Sequence, residues 1–387
     1  MSKKVLVLVG TTKGGFIFNS SPARKKWHSS GIKFKSWRVM YMNLDPRDRR
    51  LHAAVSHFVY GPTTHYSDDL GASWTQASQV PTISRPSKSG RPAGSPEEMD
   101  FDDAGKQKEL QTPEKLLKVW NITPGRASEP GVLYAGAQPA SLFVSHDRGE
   151  TWILNEPLYD HPQRGKWNPG AGGLCLHTII PDPSDPQRMY VAISAGGTYR
   201  TDDGGLTWGP FNKNVRADFS PEKFPEYGQC VHKIALHPDQ PQVLYQQNHC
   251  GVYRSDNRGE DWIDIGDGKL PTRFGFTMVV HPHDPRTIYT VPEESDEYHL
   301  SVDGKFAVWR SRDAGESWEQ LTNGLPNPAH LVVLRDAMSA DTLDEAGLYA
   351  GTNTGQLFYS RDAGDNWEVL ADYLPPILSV KTAVVSD

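Results

Sequence analysis

The sequence predicts an all-β fold, a seven-bladed β-propeller whose ring is closed by the C-terminal strand. Three observations lead there: a turn segment that recurs down the whole chain, a rhythm of four short strands between its copies, and an apolar C-terminal run with no copy behind it. Composition agrees, because 35 Gly, 30 Pro and 11 Trp in 387 residues describe many turns and large aromatic anchors rather than long helices.

The turn segment occurs at Ser67–Trp74, Ser145–Trp152, Thr201–Trp208, Ser255–Trp262, Ser311–Trp318 and Ser360–Trp367. Each copy has a hydroxyl residue, then Asp or Asn two positions on, Gly four on and Trp seven on. A seventh, degenerate copy at Ser20–Trp27 keeps the spacing but has Pro22 and Arg24 in place of Asp and Gly. A short acidic or amide side chain can bond backbone N–H groups of a tight turn, Gly supplies positive φ, and Trp anchors the next strand between sheets. These segments are therefore read as structural.

Between them, an apolar stretch ending in a Pro turn precedes two further short strands, as in Leu174 to Pro183, Met189 to Ser194 and Thr198 to Thr201. Adding the strand at the Trp makes four per repeat, which is one blade. The run Ile377 to Val385 is expected to supply the innermost strand of the first blade, beside strands beginning at Val5 and Phe16, leaving no free edge. Residues 1–387 thus read as one propeller domain carrying a polar surface insertion at about 79–110. Strand order puts the other long connections, 153–173, 209–228 and 292–305, on the face opposite the recurring turns. A site is expected on that face.

A net charge of −7 argues against a general nucleic-acid surface, and no apolar run reaches the roughly 18–20 residues of a membrane span. Only Val5 to Val9 follow Met1–Lys4 before Gly10, too short for an export signal, and three cysteines make no paired disulfide framework. A cytoplasmic setting is expected, with the oligomeric state left open.

Aligning inner strands on their terminal turns brings out candidate chemistry. Counting back seven and five residues from Asp182 and His237 gives Cys175 and His177 in the fourth blade, Cys230 and His232 in the fifth. His249-Cys250 falls on a turn of the fifth blade on the same face. His177, His232 and His249 are expected to hold a divalent metal, zinc, iron or manganese, or to share acid–base work; the bland reading packs each Cys as a small hydrophobe and ties each His to backbone. From the acidic run 293–297, Glu294 is the candidate base, and Asp296 a further one. Arg335 and Asp336, after the apolar 331–334 of the seventh inner strand, are candidates for holding substrate charge and for catalysis, or for a structural pair. Arg38, Tyr41, Trp167 and Arg216 are candidate substrate-binding residues.

The turn segments, with Pro169–His177, Gly228–Lys233 and Gln247–Gly251, resemble the bacterial neuraminidase repeat, or Asp-box, superfamily of sialidase-like propellers, within a group described as glycosyl hydrolase or exo-α-sialidase-like. The resemblance covers nearly the whole chain and implies a hydrolase. No Phe/Tyr-Arg-Ile-Pro segment precedes the first box, so true sialidase activity is not expected. The reading is an enzyme with a channel-mouth site for a small polar, anionic or carbohydrate-like substrate, with metal-assisted hydrolysis favoured. The alternatives are a metal-free His/Tyr acid–base lyase and a noncatalytic ligand-binding or assembly propeller.

Overall fold

The computed structural model describes residues 3–83, 114–170 and 172–386. They form seven four-stranded sheets. Blades two to seven run inside to outside in chain order, beginning at the inner strands Arg38–Leu44, Lys118–Pro124, Leu176–Pro181, Val231–Leu236, Gly275–His281 and Met338–Ala340. Blade one has the order Ile377–Ser386, Lys3–Thr11, Gly14–Ser20, His28–Lys33. The last strand pairs antiparallel with the first, from Lys3 opposite Ser386 to Thr11 opposite Ile377. Inner strands of successive blades pack side by side around the circle, and that of blade seven meets Ile377–Ser386. The expected ring of seven, closed by the C-terminal strand, is what the chain forms.

The recurring turns work as their residue types require. In blade four, Thr201 Oγ1 accepts from Gly205 N at 2.8 Å, and Asp203 accepts from Thr201 Oγ1, Thr207 N and Thr207 Oγ1 at 2.6–2.9 Å. Gly205 sits at φ 92°, left-handed backbone that a side chain would strain. Four of the tryptophans donate their indole N–H to the preceding blade or its exit: Trp152 to Thr64, Trp208 to Asn155, Trp262 to Phe211 O and Trp318 to Ile265 O. In the degenerate first copy, Arg24 reaches blade seven instead, bonding both oxygens of buried Asp341.

Two sequence expectations need comment. The polar insertion at 79–110 lies mostly outside the described residues; at its start, Gln79 N donates to Glu150 O and Ile83 is buried. The apolar stretch 331–334 is not part of the seventh inner strand, which begins at Met338. Val332 exchanges its backbone bonds with Asn353, while Leu331 O accepts from Ser301 Oγ and Leu334 O from Ala337 N.

One irregularity recurs and positions the site. Near the entrance of five inner strands the pairing register slips, leaving Met40, Trp120, His177, His232 and the pair Phe276-Thr277 unmatched opposite the next strand. Bulges of this kind turn the strand and re-aim the extra side chain.

Candidate functional site

A cavity of about 910 Å³ opens on the face opposite the recurring turns. Its wall is built largely by register. Counting back seven and five residues from the inner-strand turn gives Arg38 and Met40, Lys118 and Trp120, Cys230 and His232, Phe274 and Phe276, Leu334 and Asp336, all of which line the cavity. The fourth-blade pair is the exception.

That exception follows from which ring nitrogen does the same structural task. His177 Nε2 donates to Val231 O, 2.9 Å away in the next blade, and its Nδ1 accepts from Thr178 Oγ1 at 3.0 Å. Both nitrogens are spent, the ring is fully buried, and burial pushes its pKa well below the usual histidine value. His232 makes the equivalent tie through Nδ1, which donates to Gly275 O at 2.6 Å. Its Nε2 is left facing Cys230 Sγ at 3.5 Å. The expected trio His177, His232 and His249 is therefore corrected: Cys230, His232 and His249 are the side chains that converge, their ligand atoms all within 4.8 Å of one another.

His249 is held from outside by Asp296, Nε2 to Oδ2 3.0 Å. Burial opposes the charged form of His249, but Cys230 and Asp296 prevail and raise its pKa. Burial likewise opposes a thiolate at Cys230, yet His232 and His249 hold that thiol well below its usual range. The other two cysteines differ. Cys175 faces Arg335 Nη1 at 3.6 Å and burial raises its pKa; Cys250 takes the Asp218 N–H at 3.4 Å and is pushed up to about 11. All three thiols are free. Phe274 and Phe276 close around the histidines: Phe276 stacks on His232 at 4.6 Å and Phe274 meets His249 edge-on at 5.0 Å.

The opposite wall is cationic. Arg335 lies over Trp120, its guanidinium carbon 5.0 Å from the ring centroid, and has no carboxylate partner among the described residues. Arg38 and Lys118 line the same wall. Asp336 also lines the cavity, but its Oδ1 accepts from Lys233 at 2.6 Å and Lys381 at 2.9 Å. Burial would raise its pKa, and the two ammonium groups overcome that and hold it far below the carboxylate range. Asp336 is thus suited to bracing strands rather than to moving a proton.

The remaining candidates are relocated. Glu294 is exposed and does not line the cavity; its neighbours do the contacting, with Asp296 on His249 and buried Glu293 against His299 Nδ1 at 3.2 Å. The cause is that Glu293 still pairs with Ser301 at the base of the loop, which turns the next residue outward. Tyr41 is buried beneath Lys381 rather than at the wall. Trp167 is buried with its indole N–H on Tyr199 Oη at 2.8 Å, and Arg216 is occupied by Asp218 at 2.8 Å; neither lines the cavity. The reading of single residues missed Trp120, Phe274, Phe276 and His299. The first three were reachable by the same count that picked out Cys-x-His, had it been applied to residues other than Cys and His.

No protein-family model matches the chain. It is 26% identical over 267 residues to xyloglucanase Xgh74A of Acetivibrio thermocellus, across 60% of this chain and 29% of that protein. With a xyloglucanase of a Paenibacillus species it shares 28% over 180 residues, 42% of this chain and 16% of that protein. The chain spans less than a third of the length of these curated relatives. Among solved structures, the periplasmic gluconolactonase PpgL of Pseudomonas aeruginosa superposes with TM-score 0.57 at 12% identity, covering 98% of this chain and 99% of that one. An ancestral GH74 enzyme gives 0.53 at 15%, covering 86% and 38%. These structures share the fold. The curated matches are xyloglucanases rather than sialidase-like proteins.

Proposed function

We propose that the chain is a carbohydrate-acting hydrolase that cleaves a small anionic, carbohydrate-like substrate in the channel-mouth cavity. The similarity to xyloglucanases supports the reaction class. The observation that carries the substrate class is Arg335, a guanidinium stacked on Trp120 at the cavity wall with no carboxylate partner among the described residues, in a cavity also lined by Lys118 and Arg38. An arginine in that state is matched by a substrate carboxylate or phosphate. A volume of about 910 Å³ takes a sugar unit or two, and Trp120, Phe274 and Phe276 offer flat apolar faces to them. The same cavity is lined by Cys230, His232, His249 and Asp296, the cluster that would supply the chemistry at the scissile bond.

The test is release of reducing ends from two sets of oligosaccharides, neutral xyloglucan fragments and uronic-acid-bearing fragments of similar length. Turnover of the acidic set, lost in Arg335→Met, is expected. Cleavage of the neutral set alone would remove the anionic assignment. Acidic fragments that bind without ever being cleaved would make this a binding propeller.

A further inference from the structure

We propose that Cys230, His232 and His249 form a three-ligand zinc site whose fourth position opens into the cavity. The inference rests on the hydrolase reading only for what the ion would be used for; binding itself stands on the geometry.

Three donors of the right chemistry converge, their ligand atoms within 4.8 Å of one another. A tetrahedral ion with a metal–sulfur bond of ~2.3 Å and metal–nitrogen bonds of ~2.0 Å separates S from N by about 3.5 Å. Cys230 Sγ and His232 Nε2 are 3.5 Å apart. The spacing is that of two ligands on one ion.

The outer contacts carry the argument further. A histidine that binds metal through one nitrogen characteristically gives its other N–H to a carbonyl or carboxylate, which fixes the tautomer and the ring plane. Both histidines here are held in that way: His232 Nδ1 donates to Gly275 O at 2.6 Å, and His249 Nε2 to Asp296 Oδ2 at 3.0 Å. Each ring thereby keeps one unprotonated nitrogen, and for His232 that nitrogen is on the Cys230 side. His177 fails the same criterion, since both its nitrogens are already bonded within the protein. Cys175 and Cys250 fail too, because their contacts are Arg335 and a backbone N–H rather than imidazoles.

One thiolate and two imidazoles make a borderline-soft set, which suits zinc and disfavours manganese, calcium and magnesium. Three protein ligands rather than four is the pattern of a zinc site that keeps a position for water or substrate. All three donors line the cavity, and Phe274 and Phe276 pack against the imidazoles as a dry wall.

The experiment strips the purified chain with a chelator and titrates it with Zn²⁺, and separately with Co²⁺ for its absorption spectrum. One equivalent of zinc is expected, with a sulfur-to-cobalt charge-transfer band. Cys230→Ser should abolish that band, and His249→Ala should lower zinc affinity at least 10-fold. Asp296→Asn should weaken binding about 10- to 100-fold as an outer-contact change. His177→Asn should leave stoichiometry at one. Because a substituted chain could misfold, the unaltered protein gives a second readout: zinc should protect Cys230 from iodoacetamide. Zinc binding that survives Cys230→Ser, no binding by the folded chain, or equal alkylation with and without zinc would each overturn the site. Zinc binding without hydrolysis of any oligosaccharide would sink the functional proposal alone, and full turnover by metal-free protein that does bind zinc would separate the ion from the reaction.

Discussion

Lys381 Nζ stands 2.9 Å from Asp336 Oδ1, joining the closing strand to the segment that leads into blade seven. Lys233, from the inner strand of blade five, meets the same oxygen at 2.6 Å, and Val380 N donates to Asp336 O at 2.7 Å. One carboxylate thus ties three parts of the ring together at the cavity floor.

Removing that charge should be costly, because two largely buried ammonium groups lose their counter-ion. Asp336→Asn is expected to lower stability by about 3–5 kcal/mol in urea unfolding. Adding Lys233→Met should recover part of the loss. A single variant as stable as the parent would mean that water already compensates the lysines.

Deletion of residues 377–386 should end cooperative folding. It strips the inner partner from Lys3–Thr11 and uncovers Val5, Val7 and Val9, all fully buried, on an open strand edge. Aggregation or loss of the melting transition is the expected result in scanning calorimetry. A soluble chain with the parental Tm would contradict the closure.

Stability should fall as pH drops from about 6.5 to about 4. His52 is buried between blades two and three, and burial pushes its pKa down to about 4; burial does the same to His65. A base with a depressed folded pKa binds its proton first in the unfolded chain, so its contribution is complete above the unfolded value and lost across that window. For His52 the loss amounts to about 3 kcal/mol. In chemical melts at stepped pH, His52→Gln should flatten the slope between pH 6.5 and 4. An unchanged slope would place the effect elsewhere.

Arg335→Met should weaken binding of a uronate ligand about 10- to 100-fold, the worth of one charge-assisted hydrogen-bonded pair, without shifting Tm. Arg216→Met, whose partner is Asp218, should change neither. Calorimetric titration measures both. Equal affinity in the parent and Arg335→Met would remove the anion subsite.

The ring was legible because its signal is repeated: each Ser/Thr-to-Trp segment constrains one turn, and the unpaired apolar run after Trp367 has one vacant place to go. The level of the site was legible too, since distance from the terminal turn of an inner strand fixes height in the channel. Whether a residue at that height faces the cavity was not. Cys175-x-His177 and Cys230-x-His232 are identical in pattern and spacing, and they part only in which imidazole nitrogen reaches the next blade. The run 293–297 shows the same limit, because the pairing of Glu293 with Ser301 decides which acid turns inward, and four neighbouring acids look alike in a sequence.

The four indole bonds all point backward, from Trp152, Trp208, Trp262 and Trp318 to the blade made before each of them. Along blades three to six, a chain emerging N-terminus first therefore latches each preceding blade as the next one arrives. The first blade is clasped from the other side. Its Trp27 packs on Tyr349 and Tyr359, and its Arg24 bonds Asp341, all of them synthesised more than 300 residues later. The first blade thus waits more than 300 residues for its own clasp, and its innermost strand, 377–386, is the last of the ring's strands to be made.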